Sequence, residues 1–111
     1  MPKPDSLQGS LDLLVLKILS RRPRLHGYAI MTAIQDISRE VLRVEEGSLY
    51  PALQRMLKAG WIDCEWGMSP RNRKVRIYRI TRAGRKRLES EISSFEQMLE
   101  GIARVMRPVR S

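Results

Sequence analysis

The segment from Ser48 to Lys58 places hydrogen-bonding and cationic side chains opposite apolar ones at helical spacing. At about 100° per residue, one side of this helix carries four apolar residues: Leu49, Leu53, Met56 and Leu57. The other side and its margins carry residues of the types that contact DNA: Ser48, Tyr50, Pro51, Gln54, Arg55 and Lys58. Arginine and lysine bind guanine edges in the major groove, glutamine binds adenine, and hydroxyl groups commonly bind phosphates. The segment therefore suits a helix that reads DNA, although an ordinary solvated helix face would share this composition.

Positive charge is concentrated in one short part of the chain. The 111-residue chain has a net charge of +9, and residues 68–87 contain nine basic side chains and no acidic one. A patch of one sign repels itself unless a polyanion offsets it, so nucleic acid is the leading partner. Together with the helix described above, the patch favours double-stranded DNA. The tip of a predicted hairpin in this segment carries side chains suited to a minor groove or to phosphates: Arg71, Asn72, Arg73 and Lys74.

The residues that enzymes and metal sites require are sparse. His26 is the only histidine, and its place at a predicted helix start suits packing or capping. Cys64 is the only cysteine, so it cannot form an intrachain disulfide or a zinc site of the usual kind, and we expect it to be buried. Glu45 and Glu46 could bind a cation, but the dipole of the following helix explains them better. We predict neither an enzyme nor a bound cofactor or metal.

Two helices are predicted on the N-terminal side of the segment from Ser48 to Lys58. One runs from about Leu7 to Ser20, with Asp5 and Ser6 as candidate N-caps. We expect it to be the buried centre of the domain, because apolar residues lie on several of its sides: Leu13, Val15, Leu16 and Leu19. The second helix opens at Gly27, ends near Ser38 or Arg39, and turns three residues inward: Ile30, Ile34 and Ile37.

The third helix and a β-hairpin complete the predicted domain. Ser48 is the expected N-cap of the third helix, Pro51 falls in its first turn, and Gly60 ends it. Residues 62–66 and 75–80 read as two strands joined by a polar turn, with Trp61 and Trp66 at core positions. The predicted fold class is mainly α with a small β-hairpin (α+β), a winged helix-turn-helix domain over residues 7–81.

A last helix, capped by Thr81 and covering residues 82–107, carries an apolar seam. Its members step by 4, 3, 4, 3 and 4 residues, the spacing of a coiled coil: Leu88, Ile92, Phe95, Leu99, Ile102 and Met106. Packing against the same helix of a second copy would cover the seam, so we predict a homodimer. Folding of this helix onto the first helix of its own subunit is the alternative. A two-fold dimer would bind an inverted repeat with half-sites about 10 base pairs apart, or a multiple of that spacing.

Four stretches of the chain resemble the PadR family of bacterial transcriptional regulators in its short form. They are "LDLLVLKIL", "HGYAI", "EEGSLYPALQRMLKAGWI" and "IYRITRAG". The resemblance implies a DNA-binding repressor whose SLYP-bearing helix reads DNA, whose hairpin is the wing, and whose last helix dimerises. It also implies DNA contacts from this set: Ser48, Tyr50, Pro51, Arg55 and Lys58. Ile77 stands where the family more usually has a tyrosine. Relatives can respond to small hydrophobic molecules near the dimer interface, where Phe95, Met98 and Leu99 could line a pocket.

The positive charge is compatible with two other partners. An RNA-binding basic winged-helix module is the main alternative, but such proteins usually expose aromatic residues for base stacking, and here both tryptophans are expected in the core. Membrane-surface binding is less favoured because the charged segment lacks an apolar face. No signal peptide or membrane-spanning run is present in the sequence, so a soluble, cytoplasmic protein is expected.

Overall fold

The computed structural model describes residues 4–109, with side chains from Ser10 to Val109. Four helices and a three-stranded antiparallel sheet follow one another along the chain: α1 Pro4–Arg21, β1 Leu25–His26, α2 Gly27–Ile37, α3 Glu46–Ala59, β2 Ile62–Met68, β3 Lys74–Ile80 and α4 Arg82–Met106. This α+β arrangement confirms the predicted winged helix-turn-helix with a long C-terminal helix. The sequence patterns identified every element except β1.

Helix α1 is the centre of the core, as predicted. Val15, Leu16 and Leu19 are fully buried, and they share one apolar cluster with Leu49 and Leu53 of α3. Burial of this many large side chains around α1 fixes how α2, α3 and α4 sit relative to one another, because protein interiors are packed without large voids.

Two predictions about the first two helices were wrong in detail. Helix α1 begins at Pro4, so Asp5 and Ser6 lie inside its first turn instead of capping it. Proline suits a first helical position because its φ is already helical and its missing N–H needs no partner there. In α2, Ile37 is the last residue and is 52% exposed, so it does not turn inward with Ile30 and Ile34. The side chain of Leu7 lies outside the described residues.

Helix α3 begins three residues earlier than predicted. Glu45 is its N-cap and Glu46 its first residue, so Ser48 lies within the first turn and does not cap the helix. Pro51 consequently falls in the second turn, where it removes the hydrogen bond that a normal residue would donate to the carbonyl of Gly47. The C-terminal prediction is confirmed. Gly60 adopts φ 81°, its N–H donates to Leu57, and the N–H of the next residue donates to the carbonyl of Met56.

Strand β3 is the middle strand of the sheet, between β1 and β2. Tyr78 pairs with Leu25 on one side and Cys64 on the other, and its side chain lies in the core. Ile77 points to the opposite face and is also buried, and a Cβ built on Gly67 would lie only 2.6 Å from its Cγ1. Both faces of β3 are therefore covered near its middle, which explains why the apolar alternation of its sequence is interrupted.

The start of α4 is fixed tightly against the loop between α3 and β2. The Thr81 hydroxyl accepts a hydrogen bond from the Gly84 N–H (3.0 Å) and donates one to the Gly60 carbonyl (2.6 Å), so the predicted cap is confirmed. A Cβ on Gly84 would lie 2.0 Å from the carbonyl oxygen of Trp61. From this anchor α4 extends as an arm, and the described chain measures 63 × 28 × 24 Å.

Candidate nucleic-acid interface

One strip of α3 is open to solvent along its whole length. Ser48, Pro51, Gln54 and Lys58 are exposed on it, opposite the buried Leu49, Leu53 and Met56. Nothing lies within 4 Å of the point where a Cβ on Gly47 would sit. The backbone at the start of this strip can therefore be approached closely by a ligand, which is what insertion of a helix into a groove requires.

Arg55 differs from the other predicted contact residues because it is already paired within the protein. Its Nη2 lies 3.0 Å from Oδ1 of Asp12 in α1, and the two side chains are 39% and 12% exposed, respectively. Burial raises the pKa of the Asp12 carboxyl, while the nearby Arg55 guanidinium opposes that shift. Asp12 was not among the site residues predicted from the sequence. Its place among the leucines of α1 was the signal, because a carboxylate there must find a cationic partner.

Tyr50 rests on the backbone at the start of α2. A Cβ built on Gly27 would lie 2.7 Å from the Tyr50 hydroxyl oxygen, so glycine is required for the ring to occupy this place. The ring remains 40% exposed at the margin of the open α3 strip. Burial raises the pKa of Tyr50, and the nearby Glu46 carboxylate adds to the shift. The hydroxyl is therefore protonated at neutral pH and can donate a hydrogen bond to a phosphate oxygen.

The tip of the hairpin is a structured turn between Met68 and Lys74. The Asn72 N–H donates to the Ser69 carbonyl, and the Ser69 N–H donates to the carbonyl of Arg73 (both 2.8 Å). Asn72 has φ 62°, a left-handed conformation that asparagine tolerates better than most residues. The four predicted contact residues of the turn are all exposed: Arg71, Asn72, Arg73 and Lys74.

The base of the hairpin and the start of α4 use several of their cations in internal ion pairs. Arg79 binds Asp63 (3.0 Å). Arg24, in the loop between α1 and β1, binds Glu65 on the same face of the sheet. In α4, Arg87 pairs with Glu91 (2.8 Å). Two of the nine cations in residues 68–87, Arg79 and Arg87, are thus paired with carboxylates of the same chain.

Trp66 is 59% exposed, so its prediction as a core residue was wrong. The Lys74 Nζ lies 5.0 Å and the Arg76 Cζ 5.3 Å from the centroid of its ring. Strand β2 extends beyond the helices, so Trp66 keeps the inward direction of Ile62 but has no core beneath it. Cys64, between them, is half-buried, whereas the sequence predicted a buried residue. Trp61 does pack against the core, and Arg87 covers its ring at 4.6 Å.

The apolar seam of α4 has two parts in different surroundings. Leu88 is buried and Ile92 packs against the core of its own domain, which agrees with the alternative of folding onto the same subunit. Phe95 is half-buried, and beyond it the seam residues are exposed, as is Met98: Leu99, Ile102 and Met106. Only this outer part is open to a second subunit.

His26 is the N-cap of α2, but its side chain makes no capping hydrogen bond. Within the described part of the chain, no group of three or more His, Cys, Asp and Glu residues could hold a metal ion. Among the helices between residues 4 and 109, none is long and apolar enough to cross a membrane.

Comparison with known proteins identifies the family. The model of the transcriptional regulator PadR-like family matches residues 15–90. A transcriptional regulator from Clostridium thermocellum has a TM-score of 0.82 at 25% identity, covering 96% of this chain and 100% of its own. A PadR-like transcriptional regulator from Bacillus cereus has a TM-score of 0.77 at 28% identity, covering 95% and 99%. An uncharacterized protein from Lysinibacillus sphaericus is 27% identical over 100 residues, 90% of this chain and 91% of its own. The chain therefore belongs to the PadR-like family of transcriptional regulators and is a DNA-binding regulator, not an enzyme.

Proposed function

We propose that this protein represses transcription in the cytoplasm by binding an inverted-repeat operator as a homodimer. The observation that carries the proposal is the open strip of α3, with Gln54 and Lys58 exposed, beside a hairpin whose tip is basic. In this arrangement α3 enters the major groove and the turn residues 71–74 contact the adjacent backbone or minor groove. Tyr50 and Ser48, at the margins of the strip, bind phosphates.

The outer part of the α4 seam supports the homodimer. Leu99 and Ile102 are 48% and 50% exposed, and Met106 is more exposed still. Complete burial of a leucine, isoleucine or methionine side chain contributes about 1.5–3 kcal/mol, so these partly covered residues gain roughly 1–2 kcal/mol each when a second helix packs on them. A pocket for a small hydrophobic effector, lined by Phe95, Met98 and Leu99, would need the partner subunit to close it.

The first experiment tests specific binding. Duplexes are selected from a random pool with the full chain, and the affinity for the selected sequence is compared with that for a scrambled one at physiological salt. We expect an inverted repeat, and at least about a thousandfold preference for it. Equal affinity for the selected and scrambled duplexes would contradict specific recognition.

The second experiment tests the dimer with the same duplex. Leu99→Glu places a charge in the exposed seam, while Gln97→Glu adds the same charge on the opposite side of α4 as a matched control. We expect Leu99→Glu to shift the mass measured by light scattering from dimer to monomer and to weaken operator binding. The Gln97→Glu variant should remain a dimer. A monomeric wild-type chain that binds the inverted repeat tightly would refute the homodimer.

Exposure of Trp66 strengthens the alternative of an RNA-binding module, because a solvent-exposed aromatic ring beside two cations is a base-stacking surface. Competition between the selected duplex and a structured RNA of equal length distinguishes the two functions. We expect the duplex to displace the RNA at physiological salt. Displacement of the duplex by RNA would favour the alternative.

A further inference from the structure

We infer that Trp66 is a positioning residue of the wing, whose ring holds Lys74 and Arg76 together as a preformed site for two successive backbone phosphates. None of the predicted DNA contacts included Trp66 or Arg76. The inference rests on the proposed DNA binding and assigns a specific task to the hairpin within it.

The pairing of the strands brings these side chains onto one face of the hairpin. Trp66 lies directly opposite Arg76, and Lys74 is opposite Met68, one step further towards the tip. Because side chains alternate along a strand, Trp66, Arg76 and Lys74 share a face, and diagonal neighbours are within reach of a large aromatic ring. The 5.0 Å and 5.3 Å separations from the ring centroid are within the range of cation–π contacts.

This face continues from the recognition helix. Tyr78 lies on it one step closer to the core than Arg76. Tyr78 is paired with Leu25, two residues before Gly27, and the Tyr50 ring rests against Gly27, so this face leads towards the margin of the open α3 strip. In the proposed complex, a DNA strand whose phosphates contact Tyr50 therefore passes next along the hairpin face that carries Trp66.

The ring has a physical reason to help binding. Lysine and arginine side chains lose rotamer freedom when they bind phosphate, and a side chain already held in one region loses less. Both cations beside Trp66 are exposed, so they keep donors directed to solvent while the ring restricts their stems. Because Lys74 and Arg76 contact the same ring, their charges lie next to each other. Successive phosphates of one DNA strand are also neighbours, so each cation can bind one of them.

The test measures affinity for a random-sequence DNA duplex at several salt concentrations, because phosphate contacts do not depend on sequence. Trp66→Leu removes the aromatic ring and leaves an apolar strand residue. Trp66→Phe keeps an aromatic ring, but one that attracts cations less strongly. We expect Trp66→Leu to weaken binding about two- to fivefold per wing, with Trp66→Phe between it and the wild type. The salt slope should be unchanged, whereas Lys74→Ala and Arg76→Ala should each lower its magnitude by about one per wing.

The combined variant distinguishes positioning from direct contact. In a Lys74→Ala/Arg76→Ala background, Trp66→Leu should have no further effect on affinity, because no cation remains for the ring to hold. A further loss in that background would show that the ring itself contacts DNA and would overturn the inference. Tighter binding by Trp66→Leu would also overturn it, because the ring would then be withholding the cations from phosphate.

A measurement without DNA separates this inference from the proposed function. NMR relaxation of the Arg76 side-chain Nε–Hε group should show greater mobility in Trp66→Leu than in the wild type, and unchanged mobility would overturn the inference. Far-UV circular dichroism and the melting temperature show whether the variant is folded. If the wild type binds no duplex, the proposed function fails. If the wild type binds and Trp66→Leu binds equally well, only the role of Trp66 fails.

Discussion

The ion pair between Asp12 and Arg55 joins the central helix α1 to α3, and Arg55→Met tests its contribution to stability. Methionine retains an unbranched apolar stem, so the change removes the guanidinium while keeping most of the packing. The Asp12 carboxylate, 12% exposed, then has lost the cation that lay 3.0 Å away. A buried carboxylate without its partner bears its full desolvation penalty.

The size of the effect follows from the burial of the two side chains. Removal of one member of a fully buried pair costs about 3–5 kcal/mol, and a hydrogen bond to a charged group contributes about 1.5–3 kcal/mol. Arg55 is 39% exposed, so solvent screens the pair and the lower range applies. We expect the free energy of unfolding to fall by about 2 kcal/mol, which lowers the melting temperature of a domain of this size by about 8 °C.

The stability loss in Arg55→Met should depend on pH, and the direction of that dependence follows from the pKa of Asp12. Burial raises the pKa of Asp12 and Arg55 opposes the shift, so the pKa rises further in Arg55→Met. Below that raised pKa the carboxyl is neutral in the folded variant and has no charge to desolvate. The stability difference between wild type and Arg55→Met is therefore largest at neutral pH and shrinks as the pH falls through the pKa of Asp12 in the variant.

The assay is urea unfolding followed by circular dichroism at one fixed protein concentration, since any association of subunits would add to the apparent stability. Lys58→Met removes an exposed cation from the same helix and should change stability by less than about 0.5 kcal/mol. Asp12→Asn combined with Arg55→Met should recover most of the loss, because asparagine carries no charge. A loss no larger than that of Lys58→Met, or one that persists unchanged in acid, would refute the reasoning.

Two further predictions concern α4. Gly84→Ala should destabilise the protein by about 3 kcal/mol or more, because its Cβ would lie 2.0 Å from the Trp61 carbonyl oxygen. Gly101→Ala should instead stabilise it by about 0.5–1 kcal/mol, because alanine favours a helix over glycine and nothing lies within 4 Å of its Cβ. Thermal melts of both variants check this, and equal melting temperatures would contradict it. Thr81→Ala removes the hydroxyl that accepts from Gly84 and donates to Gly60, so the free energy of unfolding should fall by about 1–2 kcal/mol in urea titrations. A variant as stable as the wild type would show that the cap contributes nothing.

The sequence by itself determined the features that depend on local chemistry. The apolar residues of α3 recur at helical spacing, Gly60 is the residue type that ends a helix in a left-handed conformation, and Thr81 has the hydroxyl that an N-cap requires. All three were read correctly because each depends on residues within a few positions of one another. The open strip of α3 followed from the same spacing, since the exposed side of a helix is the one opposite its apolar side.

The tertiary structure decided the features that depend on residues distant in the chain. Strand β1 has two residues, too few for a period, and forms only because β3 lies beside it. Trp66 has the alternation of a core residue but lies where the hairpin extends beyond the helices. The seam of α4 is regular in sequence, yet Leu88 is buried and Leu99 is exposed because the helix leaves its domain between them. Burial depends on what lies across from a residue in space, and the spacing of residues along the chain does not contain that information.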